Sequence, residues 1–473
     1  MDSRTFTLED QRRFASLSGD WNPLHTDPLT ARRLLFGGPV VHGIHLLLWS
    51  LDRFSRTRTA PWSLGTIKAE FRAPLRLDEE ARCGTIREDS GEIEIGVSGG
   101  SGRAARILFT LAQPAGGARV TPAPEAGRTP ECRVLTFEEA VNASGDVAIT
   151  LAPGAAGQLF PDLVRYLPAD QIALLLATTR VVGMLCPGMH SLYSALDLTF
   201  SSRAPDGQPM RYSVTAHDRR FSSLQIGVGG SGVTGTLKAF FRPPPREQAG
   251  FDHLRRLVTP GEFAGRQALI VGGSRGLGEV AAKILAAGGA GVSLTYRVGS
   301  ADAERVAGEI VDGGGSATTR PFDVLAPKES PGDSPVPRPR PDILCYFAAP
   351  FISTAARGAF SSKAFREFCD YFVVGFVATV GAILGPEPRR LRVLYPSSVY
   401  VDETPPGMGE YAAAKAAGEV ACRLLEKTTP GVTVHVRRFP RLATDQTAGL
   451  LPQPVADPIP VILETLRHLR DSG

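Results

Sequence analysis

The sequence predicts an α+β half, in which two tandem copies of a curved antiparallel sheet each wrap one long helix, followed by an α/β half with a doubly wound parallel sheet. Three observations predict it. Residues 67–110 and 196–241 share an alternation of apolar and polar positions broken by Gly/Ser turns, the pattern of half-buried antiparallel strands. From residue 264 onward, apolar runs alternate with helical patterns, as in a parallel sheet. Two Pro/Gly/Ala-rich stretches, 114–131 and 242–250, punctuate the chain, and such composition buries too little apolar surface to offset ordering.

The elements follow in order. HGIHLLLWSLDRF reads as an apolar helix, and the strand runs IKAEFRAPL, IEIGVSGGSG and ILFTL come after it. ADQIALLLATTRVVGML repeats the helix, and LDLTFSSRA, LQIGVGGSGV and LKAFF repeat the strands. One long helix followed by a wrapping sheet is the order of a hot-dog fold, so two copies make a double hot dog. The boundaries expected are 1–113 for the first copy, 114–131 for a linker, 132–243 for the second copy and 251–473 for the last domain. In the last domain QALIVGG and GVSLTYR read as buried strands around the helix EVAAKILAAGG. The strands DILCYFAAP, LRVLYPSS and VTVHVRRFP follow, with GEYAAAKAAGEVACRLLEK as a helix between the last two. This is a Rossmann-type order. Residues 327–341 read as a Pro-rich surface insertion.

Bulk properties narrow the function. The 473 residues are 43% apolar and 21% charged, with a net charge of +4, so neither nucleic acid nor a membrane surface is an expected partner. No apolar run approaches the roughly 20 residues of a membrane span. The N-terminus is polar, and the six cysteines form no CxxC pair, so a reducing cytoplasm without disulfides or a zinc site is expected.

Near the N-terminus, Asp20 and His25 lie five residues apart in a Pro-containing turn, and His42-Gly43 opens the apolar helix. A carboxylate and an imidazole can jointly orient and deprotonate a water, or protonate a leaving hydroxyl. The Gly43 N–H, at a helix start, can stabilise a thioester oxygen as enolate character develops. Gly19, Asp20, Asn22, Pro23, His25, Asp27, His42 and Gly43 closely match the GDxNPxHxD and HG motifs of the MaoC-like (R)-specific enoyl-thioester hydratases. The resemblance covers roughly residues 6–113. It implies that Asp20 and His25 are catalytic and that Asn22 shapes the turn. His42 is expected to hold the helix start and His45 to be a core residue. The second copy lacks the motif. Its Cys186 and His190 stand close, with no third residue to orient them, and the copy is expected to complete the acyl tunnel.

In ALIVGGSRGLGEVAAKIL, the loop Gly272, Ser274, Arg275, Gly276, Leu277, Gly278 sits between strand and helix, where glycines let backbone approach a pyrophosphate. This stretch and Tyr411-Ala-Ala-Ala-Lys415, with Ser398 thirteen residues upstream, resemble the short-chain dehydrogenase/reductase family over most of 264–447. The resemblance implies that Tyr411 donates a proton and Ser398 hydrogen-bonds the substrate oxygen. Lys415 would hold the nicotinamide ribose and lower the Tyr411 pKa. Arg297 and Arg275 stand where a 2′-phosphate would lie, pointing to NADPH, and Asp323 matches an adenine-contacting Asp. Phe347 and Phe372 replace family asparagines, and Val271 replaces a Thr.

A ketoreductase and a dehydratase share a 3-hydroxyacyl thioester. The expected function is a bifunctional 3-oxoacyl-thioester reductase and 3-hydroxyacyl-thioester dehydratase, on coenzyme A or acyl-carrier-protein substrates, in fatty-acid-like or polyketide biosynthesis. Two alternatives stand beside it, a dehydratase with a retired reductase domain and a non-catalytic acyl-carrier docking module. Family resemblance also implies pairing of reductase domains into a homodimer.

Overall fold

The computed structural model describes residues 2–89, 91–100, 102–113, 120–122, 130–201, 208–326, 337–352, 360–385, 389–450 and 453–471. The chain divides into two compact units, Met1–Pro244 with Gly449–Pro452, and Pro245–Ala448 with Gln453–Gly473.

The first unit begins with β1 (Asp2–Thr5), α1 (Leu8–Ser18), the short α2 (Pro23–Thr26) and the central helix α3 (Gly43–Ser55). The strands β2 (Ser63–Phe71), β3 (Glu80–Asp89), β4 (Glu92–Gly99) and β5 (Gly102–Ala112) follow. The second copy has β6 (Ser144–Val147), the central helix α4 (Ala169–Arg180), β7 (Ser191–Phe200), β8 (Met210–Asp218), β9 (Ser223–Gly230) and β10 (Val233–Phe241). All ten strands form one sheet, in the order β1-β3-β4-β5-β2-β7-β10-β9-β8-β6. The order is palindromic about the β2/β7 seam, as a tandem duplication requires. Across the seam Thr66 opposes Thr199, and Lys68 opposes Asp197 with an ion pair at 3.1 Å. Ile95 and Val97 of β4, and Ile226 and Val228 of β9, turn inward on alternate positions, and one apolar core encloses both central helices. Because the sheet wraps it, α3 is buried nearly all round, including His45 and Ser50.

Two linker expectations need correction. Within 114–131, Thr121–Pro122 pairs in parallel with Thr150–Leu151, while 114–119 and 123–129 lie outside the described residues. Arg242, the first residue of the stretch 242–250, is 0% exposed. Its backbone N–H donates to the His190 carbonyl, and its side chain donates to the Ser191 and Met189 carbonyls. It anchors the second copy. Most of the expected insertion, 327–336, also lies outside the described residues.

The second unit carries β11 (Gln267–Val271), α5 (Gly276–Ala287), β12 (Gly291–Tyr296), α6 (Ser300–Asp312) and β13 (Ser316–Pro321). Then come β14 (Ile343–Tyr346), α7 (Ser362–Leu384), β15 (Leu391–Ser398), α8 (Gly409–Thr428), β16 (Val432–Phe439) and α9 (Pro458–Asp471). The sheet is parallel throughout, ordered β13-β12-β11-β14-β15-β16. Strand order reverses between β11 and β14, which opens a crevice at their carboxyl ends. The glycine loop and Ser398 both lie at such ends. Helix α7 differs from the expectation of no membrane-length run. By length and composition it is apolar enough to cross a membrane, and half of its most apolar 18-residue stretch is buried inside the protein. Its middle, Asp370–Gly375, is π-helical.

Candidate active sites

In the first unit the turn between α1 and α2 builds the site. Gly19 ends α1 at φ +75, and Asn22 caps α2, its Oδ1 accepting from the Leu24 N–H at 3.0 Å. The Asn22 amide donates across the copies to the carbonyls of Gly183 and Gly188, both at 3.0 Å. Asp20 is thereby held inside the protein, 2% exposed. Its Oδ1 accepts from the Asn22 N–H at 3.1 Å, and its Oδ2 from the Thr179 hydroxyl at 2.6 Å. Burial dominates these bonds and pushes the carboxyl up to about 6.

His25 donates from Nδ1 to the Val40 carbonyl at 2.8 Å, which leaves Nε2 with its lone pair. Burial, with a smaller push from the Arg242 cation, brings the imidazole down to about 4, against the pull of the Val40 carbonyl. The two groups are pushed in opposite directions, each by burial toward its neutral form. One ligating atom from each of Asp20, His25 and His42 lies within 4.8 Å of the others. The trio has a metal-ligand spacing, with the Asp20 oxygens and both His42 nitrogens already engaged within the protein and His25 Nε2 left over. His42 Nδ1 lies 2.9 Å from Gln11 Oε1, and Nε2 lies 3.1 Å from the Asp20 carbonyl. The His42 ring stacks on His25 at 3.8 Å, which fixes the plane of the base. His45 is fully buried, stacked on Phe14. Gly43 is the first residue of α3, and a Cβ there would meet the Phe71 ring at 3.0 Å.

Sequence reading missed what the second copy contributes. Thr179 of α4 holds the Asp20 carboxylate, and a Cβ on Gly183, in the π-helical turn Val181–Leu185 that continues α4, would sit 2.2 Å from Asp20 Oδ1, so that turn can approach only with glycine there. Cys186 supplies no nucleophile. Its thiol points to the Ala140 carbonyl at 3.5 Å, and burial pushes it up to about 11.

In the second unit, Gly272 and Gly276 adopt φ +80 and +58, conformations that favour glycine. A Cβ on Gly278 would lie 2.1 Å from the Gly272 carbonyl, so the loop can fold onto the start of α5 only with glycine at that position. Ser274 is buried and Leu277 packs on the core. The cradle fits a pyrophosphate at a helix N-terminus. The arginines are not idle. Arg297 donates to the Tyr371 hydroxyl at 2.7 Å, and Arg275 pairs with Asp445 at 3.4 Å. Asp323 Oδ1 accepts from the Leu325 N–H at 2.9 Å, closing the turn after β13.

Ser398 ends β15, and Tyr411 and Lys415 lie one turn apart on α8. Tyr411 hydrogen-bonds Ser398, which favours ionisation, but burial outweighs it and pushes the phenol up to about 12. The expectation that Lys415 lowers this pKa needs correction. The ammonium donates to the Pro396 carbonyl at 2.6 Å and rests 3.8 Å from the Phe372 ring centre and 5.8 Å from that of Tyr411, and it is not among the groups that shift the phenol. Burial brings Lys415 down to about 7. Phe372, one of the substituted positions, lies in the π-helical segment. The Tyr371 and Phe372 carbonyls accept from the Tyr346 hydroxyl at 2.7 Å and the Tyr395 hydroxyl at 3.0 Å. The second hydroxyl fits because Gly418 faces it, where a Cβ would lie 1.8 Å away.

Comparison with known proteins matches two segments of the chain. Residues 1–99 match the family described as MaoC like domain, and residues 266–449 match short chain dehydrogenase. A mitochondrial 3-hydroxyacyl-acyl-carrier-protein dehydratase of Arabidopsis thaliana is 46% identical over 82 residues, 17% of this chain and 47% of that protein. The chain thus spans about half the length of that relative. A chloroplastic NADPH-dependent aldehyde reductase-like protein of the same plant is 32% identical over 194 residues, 37% of this chain and 71% of that protein. A solved short chain dehydrogenase from Burkholderia cenocepacia J2315, in complex with NADP, is 23% identical with a TM-score of 0.38. The match covers 44% of this chain and 91% of that one. The chain is a fusion of a MaoC-like dehydratase domain with a short-chain dehydrogenase domain, and its second unit belongs to the short-chain dehydrogenase family.

Proposed function

We propose that the chain is a bifunctional NADPH-dependent 3-oxoacyl-thioester reductase and 3-hydroxyacyl-thioester dehydratase. The single observation that carries the dehydratase half is the placement of a carboxylate and an imidazole, Asp20 and His25, on one turn with a ligating atom of each within 4.8 Å of the other. His25 Nε2 takes the C2 proton, and the electron pair moves toward the thioester carbonyl, whose oxygen the Gly43 N–H holds. As the C3–O bond breaks, protonated Asp20 gives its proton to the departing hydroxyl, releasing water. In the reductase half, NADPH supplies a hydride when bound. Its phosphates suit the loop Gly272–Gly278, its 2′-phosphate Arg275 and Arg297, and its adenine Asp323. Ser398 hydrogen-bonds the substrate oxygen and Tyr411 gives it a proton, with Lys415 beside the ribose. The named activities of the relatives support this reading, and the acyl group is carried on coenzyme A or on a carrier protein in fatty-acid-like or polyketide biosynthesis. The six free thiols suit a reducing compartment, and we place the chain in the cytoplasm.

The test is one incubation of a 3-oxoacyl thioester with NADPH, following nicotinamide absorbance and the product mass. The expected product is the enoyl thioester. NADPH loss that persists in Tyr411→Phe removes Tyr411 as proton donor. Enoyl product that persists in Asp20→Asn/His25→Ala removes the dehydratase site. Enoyl formation from a 3-hydroxyacyl thioester without any NADPH loss would favour a dehydratase carrying a retired reductase domain.

A further inference from the structure

We infer that Arg242 is a positioning residue of the dehydratase site, clamping the loop that holds Asn22 and bringing an uncompensated cation into the electrostatic reach of His25. The inference rests on the reading of Asp20 and His25 as acid and base.

The clamp is a chain of contacts. Arg242 Nε donates to the Ser191 carbonyl at 3.3 Å, Nη2 donates to the Met189 carbonyl, and the backbone N–H donates to the His190 carbonyl at 2.8 Å. Three successive carbonyls of one loop are therefore gathered by one residue. The same loop offers the Gly188 carbonyl and the Ser191 hydroxyl to the Asn22 amide, at 3.0 and 3.4 Å. Asn22 in turn caps α2 and donates its N–H to Asp20. The end of the second copy is thus tied to the catalytic turn through one loop.

The charge is unusual. Arg242 is 0% exposed, no carboxylate pairs with it among the described residues, and its Nη1 has no hydrogen-bond partner. Carbonyl dipoles satisfy its other donors without neutralising it, so its field reaches further than that of an ion pair. Burial brings even this guanidinium down to about 10. The titratable neighbours of His25 are Asp20 on the same turn, His42 stacked from the start of α3, and Arg242. Cys132 also lies in the fields of Asp20 and Arg242 and stays a thiol, pushed up to about 12. Of these, Arg242 bears the fixed positive charge, and it opposes protonation of His25, preserving the free Nε2 that a base needs.

Two variants separate charge from clamp. Arg242→Gln retains amide donors for the loop and loses the cation, whereas Arg242→Lys retains the cation and loses the fork. The full chain is labelled at histidine Cε1, His25 is assigned by its loss in His25→Ala, and its titration is followed by NMR. In parallel, the acid limb of the dehydration pH profile is recorded with a 3-hydroxyacyl thioester. Arg242→Gln is expected to move the His25 midpoint up by about one pH unit and the acid limb with it. Arg242→Lys is expected to leave the midpoint in place while kcat falls. A His25 midpoint unmoved in Arg242→Gln overturns the inference, as does an upward shift in Arg242→Lys, which also serves alone if the Gln variant does not fold. The NMR titration needs no activity. A midpoint that shifts while the acid limb stays fixed would fault the assignment of His25 as base and leave the action of Arg242 standing.

Discussion

Replacing Thr179 by Val keeps the side-chain volume and removes the hydroxyl that donates to Asp20 Oδ2 at 2.6 Å. A hydrogen bond to a charged group contributes about 1.5–3 kcal/mol, and 1.36 kcal/mol corresponds to one pKa unit, so its loss raises a carboxyl by roughly one to two units. Asp20 starts at about 6 and should arrive at about 7 to 8. In the proposed dehydration step protonated Asp20 is the acid, so the alkaline limb of the dehydration profile should move up with it. At pH 7.5 the protonated fraction rises from about 3% to between about 25% and 75%. The rate at pH 7.5 relative to the rate at the optimum should therefore rise about tenfold or more. Using a ratio cancels any loss from a looser carboxylate. The assay is initial-rate formation of enoyl thioester from a 3-hydroxyacyl thioester between pH 4 and 9. An unchanged ratio, or an alkaline limb that moves down, would refute Asp20 as the acid and Thr179 as the group that sets it.

Three further outcomes are expected. Asp20 has its folded pKa raised to about 6 from an ordinary 3.8, so stability is present at low pH and is lost as pH rises through that window. Asp20→Asn should accordingly stabilise the first unit by about 3 kcal/mol at pH 8 and by nothing at pH 3, read by denaturant unfolding at both values. Phe372→Leu removes the ring from the Lys415 ammonium, whose pKa of about 7 should fall by about one unit, and Phe372→Tyr should restore it. Competitive labelling of Lys415 across pH, read by peptide mass, checks this without substrate. Gly278→Ala places a Cβ 2.1 Å from the Gly272 carbonyl and should weaken NADPH binding at least tenfold, measured by nicotinamide fluorescence with the fold checked by circular dichroism.

Legibility followed sequence distance. The turn from Gly19 to Asp27 is contiguous, so its acid, base and cap appear together in one motif, and the strand–loop–helix around Gly272–Gly278 appears for the same reason. Thr179, Gly183 and Arg242 reach the same turn from a copy that carries no motif, and each is an ordinary residue in its own neighbourhood. Only the sheet order, which seats α4 against α1, gives them meaning. Arg242 was the harder case, because a Pro-rich continuation made it read as linker while its side chain meets two carbonyls and its backbone N–H a third. At the other site, the replacement of asparagines by Phe347 and Phe372 was visible, but the π-helical turn around Phe372 was not, since two of its carbonyls are met by tyrosines on different strands, a pairing no periodicity announces.

The seam between β2 and β7 fixes a stoichiometry. Both halves of the wrapped sheet belong to one polypeptide, and only one half carries Asp20 and His25, so each chain presents a single dehydratase centre however many chains associate. A tight-binding enolate analogue should titrate one equivalent per polypeptide, with no partially occupied plateau.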